Sequence, residues 1–92
     1  MIIFPKRIMG RSDRLSISIP RDIVTTFGLT ADEYFSVTLK NKEANLNLQF
    51  NKLIRKCGSK DLIIYIPLKL YTEENKDKLK KGMLVDVFLE EV

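Results

Sequence analysis

Apolar residues recur at every second position at two places in the chain. Leu, Ile and Ile occupy every second position of Leu15–Ile19, and the same three types recur with that spacing in Leu62–Ile66. Each run is followed directly by a proline, Pro20 or Pro67. A period of two predicts a strand with one buried face, and proline suits the first position of a helix. The chain is therefore predicted to contain two strands that each lead into a short helix.

The residues after each proline support these two helices. Apolar residues follow Pro20 at helical spacing, and Gly28 is suited to end the first helix. In the second segment Thr72 can cap the helix, two glutamates follow it, and three lysines precede Gly82. Acidic residues in the first turn and basic residues in the last complement the helix dipole. We expect two short helices.

Further strands are predicted after the helices. Alternating apolar residues place one strand at Tyr34–Lys40 and one at Met83–Glu90. A turn at 41–43 then leads to a fourth strand at Leu46–Phe50. The second half has no such fourth strand in this interpretation. An open strand edge could pair with another chain, so a homodimer is one predicted assembly.

The two halves repeat one another. The two prolines lie 47 residues apart, and the strands after the helices match at an offset of 50. A unit of about 45 residues is too small to bury its own core, so two units must share one. The sequence predicts one domain over residues 1–92, built from repeat unit 1–50 and repeat unit 51–92.

Charge follows the same repeat. Residues 1–21 and 52–69 each carry +4, whereas 22–51 and 70–92 each carry −2. All five arginines fall in the two basic segments. Because arginine binds phosphate and guanine edges through a planar fork, this bias points to nucleic acid. The bland alternative is a set of solvated charges that protect strand edges from aggregation.

Composition limits the remaining functions. The chain has one cysteine, no histidine, 45% hydrophobic residues and no apolar run long enough to cross a bilayer. We find no phosphate-binding loop, nucleophile motif or metal-ligand spacing. We therefore predict a non-enzymatic cytoplasmic protein with no cofactor, no metal, no membrane association and no small-molecule substrate. Cys57 is interpreted as a small residue at a strand end in preference to a redox sensor.

The motif around the first proline resembles the AbrB/MazE swapped-hairpin family, also called SpoVT-AbrB-like domains. The resemblance rests on Leu15–Ile23 followed by Phe27–Val37, and on Ile66-Pro67 with Leu79–Val87 in the second half. The family pattern is a strand ending in Ile-Pro, a short helix and a further alternating strand. Val24 and Thr25 stand where arginines often occur in the family.

The resemblance implies a fold and a function. The fold would be mainly β with two short helices, a swapped-hairpin β-barrel formed here as a single-chain pseudo-dimer. The family's members are transcription regulators or antitoxins that bind DNA through basic residues of the first strand and the following turn. With the basic residue at the first helix start, the predicted DNA-binding set is Lys6, Arg7, Arg11, Arg14, Arg21, Arg55, Lys56 and Lys60.

Within this set we assign Arg11 and Arg14 to base edges, so the first repeat should contribute more to sequence recognition. The predicted phosphate contacts are Lys6, Arg7, Arg55, Lys56 and Lys60. The leading hypothesis is a sequence-specific, nucleoid-associated transcription regulator that binds double-stranded DNA. One alternative is a protein-interaction module with an antitoxin-like or assembly role. Another is a small-barrel RNA or single-strand binder, in which tyrosines stack on bases. For the tyrosines a place in the core or rim is the favoured interpretation.

Overall fold

The computed structural model describes residues 1–11, 14–58, 61–70 and 79–92. The fold is mainly β, and every strand pairing is antiparallel. The elements in chain order are β1 (Ile2–Arg7), β2 (Met9–Arg11), β3 (Arg14–Ile19), α1 (Arg21–Phe27), β4 (Tyr34–Asn41), β5 (Leu46–Leu53), β6 (Arg55–Cys57), β7 (Asp61–Tyr65) and β8 (Leu84–Glu91).

The strands form two four-stranded sheets. The long sheet has the order β1-β8-β4-β5, and the hairpin sheet has the order β2-β3-β7-β6. Pairings among the described residues leave these sheets separate, with β1 and β5 at the edges of one and β2 and β6 at the edges of the other. The single closed barrel expected from the family resemblance is thus not seen in this part of the chain.

The core follows from strand alternation. Val37 and Leu39 of β4 and Val87 and Leu89 of β8 are buried, whereas the residues between them are half-buried or exposed. The odd-numbered apolar residues of β3 and the even-numbered ones of β7 add the hairpin sheet's contribution to the same cluster. One apolar cluster therefore draws on both sheets, as expected when neither half can bury a core alone.

Helix α1 confirms the prediction made from the first proline. It begins after Pro20 and ends at Gly28, whose φ of 61° lies in the left-handed region that favours glycine. Ile23 and Val24 pack partly against the core, and Phe27 remains about half exposed. No helix in the described ranges is long and apolar enough to span a membrane. The second predicted helix falls largely on residues 71–78, which lie outside the described residues.

Strand pairing is unchanged when the first half of the chain is exchanged with the second. The exchange turns the β1·β8 pair into the β5·β4 pair, and it turns the β2·β3 hairpin into the β6·β7 hairpin. The two central pairs, β3·β7 and β4·β8, are unchanged because each contains one strand from each half. The Ile17–Ile64 pair at the centre of β3·β7 and the Thr38–Phe88 pair of β4·β8 both map onto themselves. Except for the two hairpins, every pairing joins one half to the other.

This exchange relates the fourth strand to the first. In the pairing pattern β5 corresponds to β1, because each strand flanks the final strand of the opposite half. The predicted unit boundary at 50/51 falls inside β5, and the division into two repeat units stays a prediction. The sequence assigned Leu46–Phe50 to the first unit because only a short turn separates it from β4.

Two buried isoleucines carry the chain from one sheet to the other. The backbone N–H of Ile8 donates to the carbonyl of Met83 at 2.8 Å, and that of Ile54 donates to the carbonyl of Glu33 at 2.9 Å. The carbonyls of the same isoleucines accept from the N–H groups of Gly82 and Asp32, each at 2.7 Å. These bonds fix the entry to each hairpin against the opposite half.

Candidate nucleic-acid interface

The hairpin sheet has an outer face that points away from the core. The strand register defines its rows, because residues paired across antiparallel strands share a face. One row joins Met9, Ser16 and Tyr65, and the next joins Ser18, Ile63 and Arg55. Opposite ends of the face carry the Arg11–Arg14 backbone pair and the Cys57–Asp61 pair. Basic positions from both hairpins thus belong to one sheet.

Arg14 stands at one end of this outer face. Its side chain is exposed, and the guanidinium carbon lies 4.6 Å from the centroid of the Tyr65 ring. This cation–π contact holds the guanidinium beside the sheet without neutralising its charge. Neither ion pair found among the described residues involves Arg14. The guanidinium can therefore bind an external anion.

Two other predicted arginines already have carboxylate partners. Arg21 at the start of α1 lies 3.4 Å from Asp61 of β7, and Arg55 of β6 lies 3.2 Å from Asp32. Each pair joins one half of the chain to the other. All four side chains are more than half exposed, so each pair contributes little to stability. Phosphate could replace either carboxylate at small cost.

The two residues of the first basic strand lie elsewhere. Lys6 and Arg7 belong to β1 of the long sheet, opposite Val85 and Leu84. Arg7 donates through Nη1 to the carbonyl oxygen of Gly82 at 3.0 Å. Both precede the crossing at Ile8, so they flank the hairpin sheet and are not part of its outer face.

The other members of the predicted set are placed as follows. Lys56 is exposed, but its partner Leu62 is buried, so its register position belongs to the core-facing side of the hairpin sheet. Arg11 ends β2, where its backbone pairs with Arg14. Lys60 lies outside the described residues. The structure therefore collects part of the set on one face and distributes the rest around it.

The inner strands of the two hairpins start at opposite ends of the hairpin sheet. Strand β3 starts at Arg14 and β7 starts at Asp61, and the two strands run in opposite directions. Because Ile19 pairs with Leu62, Asp61 falls about six residues from Arg14 along the strands, a separation of about 20 Å at about 3.3 Å per residue. That distance corresponds to about six base pairs of duplex, at about 3.4 Å each.

Sequence reasoning missed a groove on the outer face. Ser16 and Ile63 are buried there, at 6% and 4% exposure, although the alternation of their strands assigned them to the solvent side. One signal was present: Ile63 interrupts the alternation by placing a large apolar residue between Leu62 and Ile64. The carboxylates of Asp32 and Asp61 beside predicted DNA-binding arginines were also not anticipated.

Comparison of the chain with models of known protein families, with curated proteins and with solved structures gives no match.

Proposed function

We propose that the protein is a sequence-specific transcription regulator that binds double-stranded DNA through the outer face of its hairpin sheet. The observation that carries the proposal is the β3·β7 pairing, which joins two basic hairpins edge to edge in one sheet. Turns at the two ends of one face suit a duplex, where neighbouring contact points recur along the helix axis.

We also propose that the chain is a single-chain pseudo-dimer of the AbrB-like swapped-hairpin class. Support comes from the strand pairing, which is unchanged by exchange of the two halves, and from hydrogen bonds that fix Ile8 and Ile54 against the opposite half. In this arrangement each half completes the other's sheet. The family resemblance adds the expectation of DNA binding.

The proposed roles follow from position. Arg11 and Arg14, at the tip of the first hairpin, contact base edges. Phosphates are bound by a surrounding set comprising Lys6, Arg7, Arg21, Arg55, Lys56 and Lys60. Arg14 supports this division because its guanidinium is exposed and has no carboxylate partner among the described side chains. Phosphate contacts give affinity and orientation, whereas base contacts give specificity.

Fluorescence anisotropy over a salt series tests the proposal, with operator-like duplex selected from a random pool. If several phosphates are bound, the logarithm of affinity should fall with the logarithm of salt at about −0.9 per phosphate. The double variant Arg11→Ala/Arg14→Ala should weaken binding to the selected duplex more than to random duplex. The absence of both effects would contradict the proposal.

A matched control removes the same charge elsewhere. Lys40 and Lys42 belong to β4 of the long sheet and to the turn that follows it, so neither is part of the hairpin sheet. The double variant Lys40→Ala/Lys42→Ala should reduce binding to both duplexes slightly and equally. If the two double variants had equal effects on DNA binding, the protein would bind DNA only through general charge attraction. The base contacts assigned to Arg11 and Arg14 would then be excluded.

A further inference from the structure

The outer face of the hairpin sheet contains a groove of about 490 Å³. That volume is typical of sites that bind small organic groups. Its lining includes the guanidinium of Arg14, the phenol ring of Tyr65 and the hydroxyl of Ser16. Three uncharged side chains complete it, those of Met9, Cys57 and Ile63. The face opposite the core of a small two-sheet protein is ordinarily solvated and polar, so an apolar groove there needs an explanation.

Ser16 is the strongest indication of a ligand. It is the one buried polar residue within the described ranges, at 6% exposure. Its hydroxyl forms no hydrogen bond with another described residue. Among these residues, every side-chain oxygen that solvent cannot reach has a hydrogen-bond partner, so solvent must reach the Ser16 hydroxyl. The hydroxyl therefore faces the groove that Ser16 lines. A hydroxyl that opens on a groove can exchange its hydrogen bond to water for one to a ligand.

Ile63 points to the kind of group that would fill the groove. It is buried at 4% exposure but is absent from the cluster that unites the two sheets. It forms an apolar surface beside Met9 and Cys57, and the half-buried Tyr65 ring lies in the same groove. Such surroundings bind a flat, largely apolar ring that carries a few polar atoms.

Arg14 adds a charge requirement. Its guanidinium lies over the Tyr65 ring at 4.6 Å from the centroid, at the groove and exposed to solvent. Arg55 occupies the row of Ile63 on the same face. A flat ring bound in the groove would therefore have cationic side chains near it, which favours a ring attached to an anionic group.

We propose that this groove binds a single unstacked nucleobase, with Ser16 donating or accepting a hydrogen bond at the base edge. In this bound state, which differs from the duplex complex, the Arg14 guanidinium contacts the attached phosphate instead of a base edge. The inference extends the proposed function, since it adds a base-binding site to the same nucleic-acid face. The nucleobase could come from a free nucleotide or from an unpaired position in a strand, and the two sources share this chemistry.

Nuclear magnetic resonance titration of the full chain tests the proposal. The probes are thymidine and adenosine 5′-monophosphates, a twelve-residue single strand of mixed sequence, and the fully paired duplex of that strand. Backbone amide signals of Ser16, Ile63 and Tyr65 should move with at least one mononucleotide or with the single strand. If these amide signals move with a mononucleotide, a free nucleotide is sufficient to fill the groove. If they move only with the single strand, the groove binds an unpaired position of a strand.

Two variants separate the groove from the rest of the face. Ser16→Ala removes the hydroxyl without adding volume and should weaken binding about threefold to tenfold. Ser18→Ala is the matched control, because it removes a half-buried hydroxyl from the same strand and face outside the groove lining. Tyr65→Leu should weaken binding by about tenfold, because it removes both the ring contact with the base and the ring that holds the Arg14 guanidinium at the groove. Should Tyr65→Leu fail to fold, the serine pair still decides the question.

The outcomes distinguish this inference from the proposed function. Salt-dependent duplex binding with unmoved groove amides, and equal behaviour of Ser16→Ala and Ser18→Ala, would overturn the groove site and leave the duplex proposal intact. Nucleotide binding sensitive to Ser16→Ala, without duplex binding, would support the groove and contradict the duplex proposal. Movement of the groove amides by N-acetyltyrosine amide but by no nucleotide would assign the groove to a protein side chain and overturn the inference.

Discussion

Matched residues in the two halves hold the same backbone conformation by different means. Asp32 and Gly82 both donate their N–H to a crossing isoleucine, and their φ angles are 72° and 86°. The left-handed region disfavours residues with a Cβ, although aspartate tolerates it better than most. Asp32 also places a carboxylate beside Arg55. The first half thus combines a turn residue and an ion-pair partner in one side chain.

Gly82 is expected to be sensitive to substitution for this reason. Gly82→Ala should lower the free energy of unfolding by about 1–2 kcal/mol, because a Cβ is disfavoured at this φ. Apart from its chain neighbours, no described residue has a heavy atom within 4 Å of the added Cβ, so the effect would come from backbone strain and not from a clash. Urea denaturation followed by circular dichroism measures it. The neighbouring exposed residue provides a control, since Lys81→Ala should change stability by less than about 0.5 kcal/mol.

Asp61 is expected to oppose DNA binding. Its carboxylate holds Arg21 and repels phosphate, so Asp61→Asn should strengthen duplex binding by about 1.5-fold to fivefold at low salt. The gain should shrink as salt rises, because exposed charges are screened. Asp86→Asn on the outer side of the long sheet serves as the control in the same anisotropy assay. An equal gain from both variants would show only the effect of net charge.

At the scale of elements, the sequence predicted the regular strands and missed the irregular ones. Alternation located β3, β4, β5, β7 and β8, and the Pro20–Gly28 segment located α1, because these elements have one face in the core. It did not separate β1 from β2 or β5 from β6. The separation depends on Ile8 and Ile54, whose burial turns the chain from one sheet into the other through contacts with the opposite half. Such contacts leave no local pattern.

The same limit applies to the candidate site. The charge pattern selected the basic segments, and the outer face contains Arg14 and Arg55 as members of them. The carboxylate partners of Arg21 and Arg55 lie 40 and 23 residues away in the chain, so spacing could not identify them. The groove depends on side chains brought together by three different strand pairings.

The β3·β7 pairing joins the two hairpins in one sheet. Ile64 is fully buried at the centre of this pairing, so Ile64→Ala should lower the free energy of unfolding by about 2–5 kcal/mol. Ile3, on the exposed side of β1, is the matched control, and Ile3→Ala should cost less than about 1 kcal/mol. Chemical denaturation compares them. Similar costs at both positions would contradict the central place of the pairing.

At the scale of the whole molecule, the turn at 42–45 holds the two halves in one chain. It connects β4 to β5, and these strands pair along eight positions. All other pairings between the halves then form within the same chain. A connection of this length is therefore expected to decide whether the halves pair within one molecule or between two.

Deleting residues 42–45 should change the assembly state. Without a turn, β5 cannot fold back on β4, and each half should pair with the complementary half of a second copy. Sedimentation equilibrium should then give about twice the 10.7 kDa of one chain. Replacing the four residues by Gly-Ser-Gly-Ser should leave a monomer. A folded monomer of the deletion variant would contradict this account of the turn.

The covalent link between the halves also has a consequence for how a target is recognised. Two identical chains would present every surface residue twice, but here Arg14 corresponds to Asp61, and Ser16 to Ile63, at the matched offset of 47. Either half can thus change without altering the other. The proposed DNA-binding surface would therefore be asymmetric, so its preferred target would be a directional sequence instead of an inverted repeat. Reversing that target relative to a neighbouring site would reverse the orientation of the bound protein.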